Sequence, residues 1–111
     1  MAVDILDCCP VAGPAPLKPK EAERVAAMFK VLGDPARLRL LSLIATQPDL
    51  EACVCDLQDP IRLSQPTVSH HLKVLHDAGF LTRQKRGTWA FYRVVPEALQ
   101  ALSDALEPAR I

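Results

Sequence analysis

Aromatic side chains are scarce in this sequence: one tryptophan, one tyrosine and three phenylalanines in 111 residues. A core built with so few of them must rest on Leu, Val and Ala. Long apolar runs are also missing. None approaches the roughly 20 residues that a membrane-spanning helix requires. The N-terminus lacks a basic stretch followed by an apolar one, so no secretory signal is read there, and a cytoplasmic location is expected. Excess charge is absent too, with 13 basic and 13 acidic residues. Four cysteines are few. In a reducing compartment they point to a soft-metal site or a redox role more than to structural disulfides.

The neutral total hides an uneven distribution. Arg62, Lys73, Arg83, Lys85, Arg86 and Arg93 lie in one segment against a single acid, Asp77. His70, His71 and His76 share that segment, while Asp49, Glu51, Asp56 and Asp59 precede it. Such a chain can present one positive face to phosphate.

Residues 1–18 contain Gly13 and three prolines without periodicity, and read as an extended arm carrying Cys8 and Cys9. Residues 19–111 read as one domain. Pro19 suits a first helical position, and Ala22, Val25, Ala26 and Phe29 form an apolar helical face ending near Gly33. Asp34-Pro35 is a helix start, with Leu38, Leu41 and Ile44 or Ala45 turned inward until Pro48. A short helix is predicted from Cys53 or Val54 to Gln58, ended by Pro60. Ser64 caps the next helix, whose buried stripe is Val68, Leu72 and Leu75, and Gly79 closes it. Strands at 80–85 and 89–94 flank a turn at Arg86-Gly87, and Pro96 opens a last helix with Leu99, Leu102 and Leu106. The fold class that follows is mainly α with a β-hairpin wing, a winged helix-turn-helix.

The segment "LSQPTVSHHLKVLHDAGFL" places small polar groups on the first turns of a helix whose other face is apolar. Gln65 suits a bidentate contact to an adenine edge, and Thr67 and Ser69 suit bases or phosphates. His70 and Lys73 suit the DNA backbone, as do Lys85 and Arg86 at the wing tip.

"FKVLGDPARLRLLSLI", "EACVCDL" and "LSQPTVSHHLKVL" resemble the ArsR/SmtB family of metal-sensing repressors over about residues 22–106. The resemblance implies a winged-helix homodimer, joined mainly by its first and last helices, on a palindromic operator that it leaves when metal binds. Its arsenic branch carries a C-V-C-D-L-C run whose thiolates bind As(III). Here Cys53 and Cys55 match, but Gln58 stands at the third position, so the resemblance assigns the missing sulfur to the arm, to Cys8 or Cys9. Thiolates are soft ligands, and As(III), Sb(III), Cd(II) and Pb(II) all fall in their range.

Two positions on a regular helix are about 200° apart, so Cys53 and Cys55 would diverge there. Either Cys53 precedes the helix, or a shared ligand unwinds its first turn and misplaces Gln65, Thr67 and Ser69. The histidines lack metal-ligand spacing, and the last helix has no histidine, so the zinc site of related sensors is not expected. A thiol redox-sensing repressor is the competing reading. A thiol enzyme is disfavoured, since neither a phosphate loop nor a nucleophile-base pair is evident.

Overall fold

The computed structural model describes residues 16–107. The arm cysteines Cys8 and Cys9 therefore lie outside the described residues. Five helices and three strands follow in the order α1 (Pro19–Leu32), α2 (Pro35–Ala45), β1 (Glu51–Cys53), α3 (Gln58–Ile61), α4 (Gln65–Asp77), β2 (Leu81–Arg86), β3 (Trp89–Val94) and α5 (Pro96–Leu106). This is a winged helix-turn-helix, with α3 and α4 as the helix pair and β2–β3 as the wing.

The capping signals act as their chemistry requires. The Asp34 carboxylate accepts the N–H groups of Ala36 and Arg37 at 2.8 and 3.4 Å. Burial pushes that carboxyl up, but these two hydrogen bonds, with His71 and Arg37 nearby, hold it below the usual value. Ser64 likewise caps α4 through the N–H of Thr67. The core closes where α2 and α4 meet the sheet: Leu40, Ile44, Val68, Leu72, Leu75 and Phe80 are fully buried. Phe80 is the largest of these, so Phe80→Ala is expected to remove about 3–5 kcal/mol of stability. Urea unfolding with an unchanged m-value and a lower midpoint would report it.

Several expectations change. The chain from Cys53 to Gln58 is not a helix. Cys53 ends β1, a tight 3-10 turn covers Val54–Asp56, and α3 starts only at Gln58. Pro60 sits inside α3 rather than ending it. The sheet has three strands, ordered β1-β3-β2 and antiparallel throughout, because β1 adds to the outer side of β3. Asp49 and Leu50, just before β1, take positive φ of 58° and 57°. Hydrogen bonds from Leu50 N–H to the Gln47 carbonyl and from Arg93 Nε to the Asp49 carbonyl hold that bend. On α2 the inward residues are Leu40, Leu41 and Ile44, whereas Leu38 is 51% exposed.

Helix α1 buries no residue fully; of the expected face, Val25 packs inward as expected while Ala22, Ala26 and Phe29 are exposed. Met28, Val31 and Leu32 join Val25 on the core. On α5 Leu102 is buried, Leu99 half-buried and Leu106 exposed. A groove of about 760 Å³ runs between α1 and α5, lined by Leu17, Val25, Met28, Ala101 and Ala105 among others.

Candidate DNA interface and cysteine pair

The face of α4 opposite Val68, Leu72 and Leu75 is open to solvent. Gln65, Ser69, His70 and Lys73 are exposed there. Thr67 is half-buried, and its hydroxyl lies 2.9 Å from the Ser64 hydroxyl, so the cap occupies it. Lys73 Nζ donates to Asp77 at 2.8 Å. This hydrogen bond raises the ammonium pKa and lowers that of Asp77, which also meets His76. The pair is solvent-exposed, so it yields readily to a phosphate. His70 points outward, whereas His71 is half-buried.

Strand alternation sorts the basic wing. Leu81, Tyr92 and Val94 are buried on the core side of the sheet. Register pairs Arg83 with Tyr92 and Lys85 with Ala90, so Arg83 and Lys85 extend that same face outward, toward the side occupied by α4. Arg86 belongs to the other face. Its guanidinium grips Glu51 of β1 in a two-pronged ion pair at 2.7 and 3.2 Å. It also donates to Gln84 and lies 4.4 Å from the centre of the Phe91 ring. Lys85 and Arg86, grouped in the sequence, are thus separated by the pleat. Arg83, which the sequence reading did not place at DNA, shares the Lys85 face. Its signal was available in the i, i+2 spacing to Lys85.

The two cysteines converge because no helix separates them. The Cys53 sulfur accepts the N–H of Cys55 at 3.2 Å and so caps the turn that carries Cys55. Their Cα atoms are 5.1 Å apart and their sulfurs are bonded to each other. Cys53 is 4% exposed, opposite Phe91 in the register, while Cys55 and Gln58 are exposed. Cys53, Glu51, Leu43, Leu57 and Phe91 line part of a cavity of about 170 Å³. Two adjacent sulfurs suit a soft ion, but no three His, Cys, Asp or Glu side chains among the described residues form a metal-holding group.

Residues 34–83, from the α2 cap through the recognition helix into the wing, match the arsR family of bacterial regulatory proteins. An HTH-type transcriptional regulator of Methanocaldococcus jannaschii is 41% identical over 80 residues, 72% of this chain and 88% of that protein. The chain belongs to the ArsR family. This ArsR-family chain is also 36% identical over 85 residues to an arsenical resistance operon repressor of Staphylococcus xylosus, covering 77% of this chain and 79% of that one. The homodimeric winged helix-turn-helix domain of a possible ArsR-family regulator from Mycobacterium bovis superposes with a TM-score of 0.64 at 23% identity. That match covers 81% of this chain and 84% of the other, and shows the shared fold. An ArsR-family protein is a DNA-binding transcriptional regulator, not an enzyme. No helix among its described residues is long and apolar enough to cross a membrane.

Proposed function

We propose that this chain is a cytoplasmic, metalloid-responsive repressor that holds a palindromic operator as a homodimer and releases it when As(III) or Sb(III) binds. The convergence of Cys53 and Cys55 carries this reading. In the reduced protein the same turn sets two thiols side by side, one at the edge of the core and one open to solvent. The third sulfur comes from Cys8 or Cys9. Cd(II) and Pb(II) share the chemistry of that site. The similarity to an arsenical resistance operon repressor favours the metalloid.

Gln65 and Ser69 read bases, with His70, Lys73, Arg83 and Lys85 on phosphates. One recognition helix spans only half a site, so a two-fold operator needs two copies. The groove between α1 and α5, lined by Leu17, Val25, Met28, Ala101 and Ala105 with charged residues such as Arg24 and Asp104 among them, suits the second copy. Sedimentation of the reduced, metal-free chain should give a dimer at micromolar concentration. A monomer would remove the palindrome.

A second reading, a thiol redox sensor, draws on the bond between the Cys53 and Cys55 sulfurs. The deciding experiment uses a duplex that the protein itself selects from a random-sequence pool. Under a phosphine reductant, arsenite should release that duplex, and X-ray absorption should count three sulfurs around arsenic. Release by peroxide but not by arsenite would select the redox sensor instead.

A further inference from the structure

Arg86 stands at the wing tip, yet its charge is spent on the far side of the sheet. The three strands form rows on that face. Glu51, Arg93 and Thr82 make one row, and Cys53, Phe91 and Gln84 the next. Arg86 belongs to a third row, opposite Trp89. Its side chain therefore reaches diagonally back over the Phe91 ring, across the row of Cys53, to Glu51. The ends of this link belong to the two functional parts: Glu51 is two residues before Cys53, and Arg86 adjoins the Gly87 turn. Strand β1 is only three residues long. A displacement of Cys53 has little ladder to absorb it before reaching Glu51.

We propose that Glu51 and Arg86 are positioning residues that join the cysteine strand to the wing, so that ligand capture by Cys53 and Cys55 opens the pair and frees the wing from its DNA-binding pose. The proposal rests on the metalloid-sensing reading above. With the pair closed, the hairpin is fixed in the pose that turns Arg83 and Lys85 toward the side of α4. Once a phosphine reductant has opened the Cys53–Cys55 bond, an ion shared by the two thiolates holds their sulfurs further apart, β1 shifts, Glu51 leaves the guanidinium, and the hairpin loses its brace. The ligand then favours the state that lacks the docked wing, as a coupling between two sites requires. A phosphate-contact role for Arg86 makes the opposite demand, because Glu51 would then compete with DNA.

The test compares the full-length wild type with Glu51→Gln, Arg86→Lys and the double variant on the selected duplex, under a phosphine reductant that keeps Cys53 and Cys55 as thiols, with and without saturating arsenite. Glu51→Gln is expected to weaken metalloid-free binding about fivefold, leave the arsenite-loaded Kd unchanged, and so shrink the ratio of the two by the same factor. The double variant should lose no more arsenite coupling than Glu51→Gln alone, since both act through the Glu51–Arg86 contact. Equal weakening with and without arsenite would reduce the pair to a structural contact and overturn the proposal. Tighter metalloid-free binding by Glu51→Gln would overturn it too, by showing Arg86 to be a phosphate ligand. If Glu51→Gln fails to melt cooperatively, Arg86→Lys carries the same comparison. A wild type that keeps its duplex in arsenite would sink the metalloid reading itself. Normal wild-type release with an unchanged ratio in both single variants would sink only the Glu51–Arg86 link.

Discussion

Cys55→Ser is expected to keep its operator at arsenite concentrations that strip the wild type. Cys55 is exposed and contributes nothing to the core, so the substitution leaves the fold and the reading face of α4 in place. Serine offers a neutral hydroxyl where a soft ion needs a thiolate. The wild-type Kd should rise on the order of 5–150-fold in arsenite, the span of ordinary allosteric couplings, and the variant's should stay flat. Fluorescence anisotropy on the selected duplex measures both. Cys53→Ser is a less clean probe, because the Cys53 sulfur is buried and caps the turn. Cys8→Ser with Cys9→Ser should be as unresponsive as Cys55→Ser, since the fragment from Cys53 to Gln58 supplies only two sulfurs. If the double arm variant releases normally, the three-sulfur site is wrong and two sulfurs suffice.

Arg83→Ala with Lys85→Ala should weaken binding on the order of tenfold near physiological salt and flatten its salt dependence. Each phosphate contact contributes about 0.9 to the slope of log K against log salt, so losing two in each protomer of the dimer should remove about 3.6. Arg83 and Lys85 enter no ion pair among the described residues, so their whole charge is available to DNA. The loss should be uniform across sequences. Gln65→Ala offers the contrast: it should leave the slope alone and relax discrimination at one base position by about 1–3 kcal/mol. A double wing variant with an unaltered slope would show that the hairpin does not touch the backbone.

The parts of this molecule legible in its sequence are those fixed by local chemistry. Asp34-Pro35 and Ser64 announce helix starts, because side-chain oxygens there accept backbone N–H groups whatever lies around them. Val68, Leu72 and Leu75 announce a buried face by spacing alone. The hairpin shows by its two strand-like runs around Gly87, whose φ of +65° suits a glycine. Strand β1 was illegible for the converse reason. Three residues are too few to display alternation, and "EAC" is a strand only because β3 lies beside it. The cysteine turn suffered with it, since "VCDLQ" read without β3 continues naturally into α3. Phe29 and Leu38 misled in another way. They are apolar at helical spacing, yet the described chain leaves them exposed. Arg86 could not be assigned from charge, because its partner lies 35 residues earlier in the chain.

Strand β1 also shields something. It covers the outer backbone edge of β3 along Phe91, Tyr92 and Arg93, and an uncovered edge is a template for pairing with another chain. The opposite edge, β2, is guarded by Thr82, Arg83, Gln84, Lys85 and Arg86, all exposed and polar. The β3 edge has no such guard. Trp89, Ala90, Phe91, Tyr92 and Val94 make it the most adhesive strand in the molecule, with Arg93 as its one charge. If β1 moves to signal an inducer as proposed, it uncovers the Phe91–Arg93 stretch of that edge as the protein leaves DNA. The proposed link therefore requires a shift that slackens β1 without detaching it from β3.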